Sequence, residues 1–219
     1  MTVIRVGLVD DQALFRAGIR MLIESQDDLA FAGEAGDGRE AVSLARSTPI
    51  DVLLMDVRMP VLDGIAATAE ILADAATASR PAPRIVVLTT FDLDENAARA
   101  IRAGASGFVL KDADPEFLLA AIRTVHQGNA VIAASATREL FAHVTQSARV
   151  VPESFAALTV REREIFGLAA AGLSNAEIAA AEFLSEATVK THISRILAKL
   201  ELRDRVQLVV FAYEHGLAD

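Results

Sequence analysis

The sequence predicts a doubly wound parallel α/β domain followed by a smaller, all-helical domain. Three observations carry that prediction. Up to Asn129, short β-rich runs alternate with helical patterns. Two of those runs, Val52-Leu53-Leu54 and Val86-Val87-Leu88, are continuously apolar, as strands covered on both faces must be. From Leu158 onward no strand pattern remains.

In chain order, Val3–Val9, Leu29–Gly33, Val52–Met55, Ile85–Thr89 and Gly107–Leu110 read as strands. Ala13–Ser25, Gly38–Ser47, Gly64–Ala76, Leu93–Ala103 and Pro115–Gln127 read as helices. The last of these carries Leu118, Leu119, Ile122 and Val125 at helical spacing, and Gly128 stands where a helix stops. Crossovers between parallel strands are right-handed, so five βα units place helices on both faces of one sheet. Residues 135–144 allow one more helix, and Thr145-Gln146-Ser147-Ala148 with Pro152 read as a linker. The expected organisation is a first domain over 1–128, a linker with a helix over 129–153, and a helical domain over 154–219.

Composition narrows the class. At 219 residues and 53% hydrophobic content, with a mean hydropathy of +0.36, the chain packs cores and is not disordered. No apolar run reaches the roughly 20 residues needed to cross a bilayer. The opening Met1-Thr2-Val3-Ile4-Arg5 reads as a strand and not as a signal peptide. Without cysteine there are no disulfides and no thiolate metal sites. A cytoplasmic protein with no membrane partner is the expectation. The net charge of −9 does not exclude a nucleic acid, because only a docking face has to be basic.

Ligands of open α/β sheets bind beyond the carboxyl ends of the strands, where the strand order reverses. In the order 2-1-3-4-5 that point lies between the first and third strands, which here end in Asp10-Asp11 and Asp56. Three carboxylates meeting at one sheet edge repel one another, and a hard divalent cation offsets this. The fourth strand ends in Thr89-Thr90, and the fifth runs into Lys111. Acids, a hydroxyl and one ammonium suit phosphoryl transfer to a carboxylate, with Asp56 as nucleophile and magnesium as the cation. Taken singly, each residue has a plainer reading: Asp-Asp after a strand as a helix cap, the lysine as a solvated side chain.

Asp10-Asp11, Asp56-Val57-Arg58-Met59-Pro60 with Gly64, then Thr89, Phe108 and Lys111 together resemble the receiver domain of two-component response regulators. The resemblance covers residues 1–128 and implies a flavodoxin-like (CheY-like) five-stranded sheet. It implies Asp56 as phosphoacceptor, supplied by a sensor histidine kinase. Mg2+ would be held by Asp10, Asp11, Asp56 and the backbone carbonyl of Arg58. Thr89, Phe108 and Lys111 would be the phosphate-contacting and switch residues, although Phe108 also fits as a plain core residue. Arg58 and Phe91 would flank the entry of attacking water. Two departures are a slightly long Asp74–Pro83 connection and Asp112 in place of a common proline.

In the second domain, Thr159-Val160-Arg161-Glu162 and Ser174-Asn175-Ala176-Glu177 are capping boxes, and Ser185 caps a further helix. Helix Ala176–Ala181, a turn at Phe183-Leu184-Ser185 and helix Glu186–Leu200 make a helix-turn-helix. The second helix buries Val189, Ile193, Ile196, Leu197 and Leu200, and offers Lys190, Thr191, Ser194, Arg195 and Lys199, followed by Arg203 and Arg205. A soluble helix with a basic face fits the same residues. Leu158-Thr159, Gly172-Leu173-Ser174 through Ala179, and Thr188-Val189-Lys190-Thr191-His192 through Lys199-Leu200 resemble the LuxR-type DNA-binding domain over 154–216. That resemblance turns Lys190, Thr191 and Ser194 to bases, leaves Arg195, Lys199 and Arg203 for phosphates, and implies double-stranded DNA and a homodimer when phosphorylated. His192 reads as a packing or phosphate contact and not as a metal ligand.

Glu182 departs from the family, which puts a buried leucine there; it must reach solvent, yield its place to Phe183, or weaken the domain. On the last helix, Arg205–His215, part of the stripe Val206, Val209, Val210 and Tyr213 is expected to pack on the domain and part to pair two copies. An aspartyl-phosphate hydrolase would need a second aspartate where Arg58 stands, so a non-enzymatic regulator is expected. A receiver with a protein-only or phosphorylation-independent output is the rival.

Overall fold

The computed structural model describes residues 3–89, 95–129 and 152–217. The chain divides into two compact units, residues 1–139 and 140–219, each described by itself. The possible helix over 135–144, and Thr90 and Phe91, lie outside the described residues.

The first unit runs β1 (Ile4–Val9), α1 (Ala13–Glu24), β2 (Leu29–Ala35), α2 (Gly38–Ser47), β3 (Val52–Asp56), α3 (Gly64–Thr77), β4 (Arg84–Thr89), α4 (Glu95–Arg102), β5 (Gly107–Leu110) and α5 (Pro115–His126). The five strands are parallel in the order β2-β1-β3-β4-β5, so β1 and β3 are neighbours at the reversal point. β3 is buried along its whole length, which explains its unbroken apolar run. On one face, Leu8, Leu54, Val86 and Leu88 pack with Ile23, Leu118, Leu119, Ile122 and Val125 of the flanking helices.

Helix starts follow their caps. The Asp37 carboxylate accepts from the amides of Arg39 and Glu40, Asp63 from Ala66, and Asp114 from Glu116, with Pro115 opening α5. β2 continues to Ala35, two residues beyond the end read at Gly33. The register skips from Val6↔Phe31 to Gly7↔Gly33, so Gly33 marks a β-bulge inside the strand and not its end. A Cβ on it would lie 2.9 Å from Leu44 Cδ1.

The second unit contains α6 (Glu153–Ala156), α7 (Val160–Ala170), α8 (Asn175–Ala181), α9 (Glu186–Lys199) and α10 (Arg205–Glu214). The short α6 was not read from the sequence. Both capping boxes form, at Thr159/Glu162 and Ser174/Glu177, and Ser185 caps α9. Phe166, Ile178, Val189, Ile193, Ile196 and Leu208 lie in one core, with Phe166 edge-on to Phe155 and Phe211 at 5.1 and 6.2 Å. Val206, Val209 and Val210 are all buried. Tyr213, the fourth residue of this stripe, is half-buried.

Between α8 and α9 the chain turns at Phe183, whose φ is +54. Beyond the last helical bond, from the Glu182 amide to Ile178, the Leu184 amide donates to the Ala179 carbonyl at 2.9 Å, the wrapping bond of a Schellman closure. Phe183 thus occupies the left-handed position that glycine usually takes, and its side chain is 96% exposed. It does not move inward to replace the missing leucine. Glu182 instead pairs with Arg161 at the start of α7, so its charge is compensated.

Candidate functional site

The carboxyl ends of β1, β3, β4 and β5 bring together Asp10, Asp11, Asp56, Thr89 and Lys111. One carboxylate oxygen from each of Asp10, Asp11 and Asp56 lies within 4.8 Å of the others. Asp10 is fully buried, Asp56 is buried and Asp11 is exposed. Asp11, Asp56, Arg58, Thr89 and Lys111 line a recess of about 160 Å³. The plainer reading of Asp10-Asp11 as a helix cap does not describe this geometry. The cap position of α1 is Gln12, with no side-chain cap bond, and Asp10 Oδ1 accepts from the Gln12 amide at 2.9 Å.

Lys111 reaches across the sheet from β5. Its Nζ lies 2.7 Å from Asp10 Oδ2 and 3.0 Å from Asp56 Oδ2, and 5.1 Å from the Phe15 ring centroid. Its amide donates to the Thr89 carbonyl at 2.7 Å, tying the ends of β4 and β5 together. Burial alone would lower the lysine's pKa, but its contacts with Asp10 and Asp56 overcome burial and raise it. Burial pushes the Asp56 carboxyl above its ordinary value, Lys111 pulls the other way, and the Asp10 charge adds to the rise.

The donor set fits a hard divalent cation. It consists of carboxylate oxygens, and Asp10 Oδ2, fully buried, meets only the Lys111 ammonium among the described residues, at 2.7 Å. Such an atom retains a lone pair for a metal. The turn after β3 holds Asp56 in place. The Gly64 amide donates to the Val57 carbonyl at 3.0 Å, and a Cβ at Gly64 would fall 1.8 Å from the Asp56 carbonyl oxygen. Only glycine allows that approach. Phe108 is buried at 2% exposure.

Arg16 is a site residue that sequence reasoning missed. Its Nη1 donates to the Asp10 carbonyl at 2.7 Å, and its Nε lies 3.3 Å from Glu34 Oε1. The residue stands six positions after Asp10, so the pairing follows from α1 folding back over the strand end, which no motif announces.

In the second unit, Lys190, Thr191, Ser194 and Arg195 are all exposed on α9, opposite buried Val189, Ile193 and Ile196. Thr191 Oγ1 donates to the Ala187 carbonyl at 2.9 Å. Lys199 is differently placed. Its Nζ donates to Glu162 Oε2 at 2.6 Å and to the Ala157 carbonyl at 3.2 Å, so it serves the domain's own cap. Arg205, which the sequence grouped with the basic surface, is buried and donates to Asn175 Oδ1 at 2.8 Å and to the Leu173 carbonyl. Arg203 is half-buried.

Comparison with known proteins agrees with this arrangement. Residues 6–123 match the response regulator receiver domain, and residues 156–212 match the luxR family of bacterial regulatory proteins. The transcriptional regulatory protein YxjL of Bacillus subtilis (strain 168) is 45% identical, covering 98% of this chain and 97% of that protein. Response regulator protein VraR of Staphylococcus epidermidis is 36% identical, with 98% of each covered. Among solved structures, response regulator ChrA of a heme-sensing two-component system shares 34% identity over 99% of this chain and 100% of its own, with a TM-score of 0.50. A LuxR-family two-component response regulator from Aurantimonas shares 34% identity over 65% of this chain and 98% of its own, with a TM-score of 0.58. Two family matches in chain order, with relatives aligned from end to end, make this chain a transcriptional response regulator with a receiver domain and a LuxR-type DNA-binding domain.

Proposed function

We propose that the chain accepts a phosphoryl group on Asp56 from a sensor histidine kinase and, as a phosphorylated dimer, binds promoter DNA. The observation that carries this reading is the meeting of Asp10, Asp11 and Asp56 within 4.8 Å under the ammonium of Lys111. An Asp56 oxygen attacks phosphorus, the N–P bond of the phosphohistidine breaks, and the imidazole leaves. Mg2+, held by Asp10, Asp11, Asp56 and the Arg58 carbonyl, would neutralise charge on the phosphoryl oxygens when bound. Lys111 then exchanges part of its contact with Asp56 for a phosphoryl oxygen, and Thr89 donates to another. Phe108, buried behind them, repacks with Thr89. The added charge of about −1.5 to −2 acts through its different affinity for two packings of this face.

For DNA, Lys190, Thr191 and Ser194 serve base edges, and Arg195 and Arg203 serve phosphates. Lys199 keeps its internal partner. A two-fold symmetric dimer suits the half-sites that such helices read. The domain organisation 1–128, 129–153 and 154–219 and a cytoplasmic location belong to the same reading; among the described residues no helix is long and apolar enough to cross a membrane. The test is radiolabel transfer from acetyl phosphate with Mg2+. Wild type takes up label and Asp56→Asn does not, and label retained at full level by the variant refutes Asp56 as acceptor. A gel shift that is the same with and without phosphorylation refutes the switch and favours the rival outputs.

A further inference from the structure

At the opposite end of the sheet, beside the amino ends of β1, β3 and β4, lies a hollow of about 390 Å³. Four arginines line it, Arg5, Arg46, Arg80 and Arg84, together with His126 and one carboxylate, Asp51. Four guanidiniums in one hollow are unexpected in a chain of net charge −9.

The acids that hold Arg5, Arg46 and Arg80 are one fewer than these three guanidiniums. Both oxygens of Asp51 are taken by Arg5: Oδ2 accepts from its amide at 2.8 Å and Nε at 2.9 Å, and Oδ1 from Nη2 at 2.6 Å. The lining carboxylate therefore offers little repulsion to an anion. Asp74 is shared by Arg46 at 3.0 Å and Arg80 at 2.7 Å, which leaves that trio one positive charge in excess. Arg80 Nη1 also donates to the Ala45 carbonyl at 2.8 Å, masking one of the carbonyls at the end of α2 that would oppose an anion. The side chains of Arg5 and Arg46, both lining the hollow, remain about half exposed, at 48% and 53%. Pro49 and Pro81 form apolar walls beside them.

We propose that this hollow binds a small organic anion, one that carries a phosphate or paired carboxylates on an apolar body. Guanidinium forks match such oxyanions in geometry, and a fork held by a neighbouring acid loses less entropy when it binds. The volume falls within the range of small-molecule sites. The long Asp74–Pro83 connection finds its use here, since it supplies Asp74, Arg80 and Pro81. The Asp56 pocket takes no part.

The experiment is calorimetric titration of the full chain with phenyl phosphate, with phthalate and with inorganic phosphate. It is run on wild type, Arg46→Glu, Arg80→Gln and Asp56→Asn, each checked for an intact circular dichroism spectrum. Expected is saturable binding of phenyl phosphate or phthalate at one site per chain, weakened roughly tenfold or more by each arginine substitution and unchanged in Asp56→Asn. Which of the two probes binds names the anionic head. Inorganic phosphate, lacking the apolar body, binds more weakly. The proposal is overturned if neither organic probe binds wild type more tightly than about 1 mM. It is equally overturned if both arginine variants bind as wild type does, or if binding vanishes in Asp56→Asn.

Discussion

Lys199 Nζ lies 2.6 Å from Glu162 Oε2, and the same oxygen accepts the Thr159 amide at 2.8 Å. The end of α9 is thereby fastened to the first turn of α7, through a carboxylate that is 4% exposed. Lys199, followed by the Thr159 amide, holds the Glu162 carboxyl down at about 2. A depressed folded-state pKa stabilises at pH values above the ordinary carboxylate range, and that contribution is lost as pH falls towards 2. The stability difference between wild type and Glu162→Gln should therefore be largest near neutrality and shrink as the medium is acidified below about pH 4.5. Tyr213 is the chain's one tyrosine and there is no tryptophan, so intrinsic fluorescence in urea reports on this domain alone. A difference that does not vary with pH would contradict the assignment.

Lys199→Ala and Arg195→Ala should separate two roles that the sequence had merged. Lys199→Ala leaves the buried carboxylate with fewer donors and should cost about 1–2 kcal/mol of stability, the lower end applying because the lysine is partly exposed. Arg195→Ala should leave stability within about 0.5 kcal/mol. It should weaken DNA binding and reduce the salt slope of log K by about 1. Urea titration followed by Tyr213 and gel shifts at several salt concentrations check both halves.

Phe183→Gly should stabilise the helical domain by about 1 kcal/mol. The position has φ +54 and a side chain 96% exposed, so glycine relieves left-handed strain and gives up almost no packing. A urea midpoint that falls would show that the exposed ring contributes to stability after all.

Gly64→Ala should cripple phosphoryl uptake while the sheet still folds. The new methyl would overlap the Asp56 carbonyl, and relieving the overlap moves Asp56, at a cost of about 1–3 kcal/mol. Label from acetyl phosphate should fall roughly tenfold or more, with far-UV circular dichroism unchanged. Uptake at the wild-type rate would mean that the turn after β3 can give way without moving Asp56.

Asp56→Asn should raise the thermal midpoint of the receiver at neutral pH. Burial raises the Asp56 pKa despite Lys111, so ionising this carboxyl costs stability as pH rises through its folded value. The gap between variant and wild type should close on acidification, when both side chains are neutral. Calorimetry at two pH values decides it.

Much of this was legible because backbone register and side-chain chemistry coincide at strand ends. Asp10, Asp56 and Lys111 each follow an apolar run, and knowing the strand order suffices to bring them together. Capping boxes are likewise local, and Thr159/Glu162 and Ser174/Glu177 form as read. Tertiary partners were not legible. Nothing near Lys199 points to Glu162, thirty-seven positions earlier, and a basic helix end reads equally well as a phosphate contact. Arg205 failed for the same reason: it is held by the Leu173 carbonyl just before α8 and by the side-chain amide of Asn175 that opens that helix. Gly33 misled because a glycine that ends a strand and one that makes a bulge look alike in sequence.

The bulge in β2 reaches beyond register. β2 and β5 are the two borders of the sheet, where unsatisfied peptide groups invite a foreign strand. The skipped Ala32 spoils the even spacing such a strand would need, and β5, at four residues, offers too short a template. Neither border is suited to extending the sheet into a neighbouring molecule, so association between copies is left to side-chain surfaces, and stacking into fibres is disfavoured from the outset.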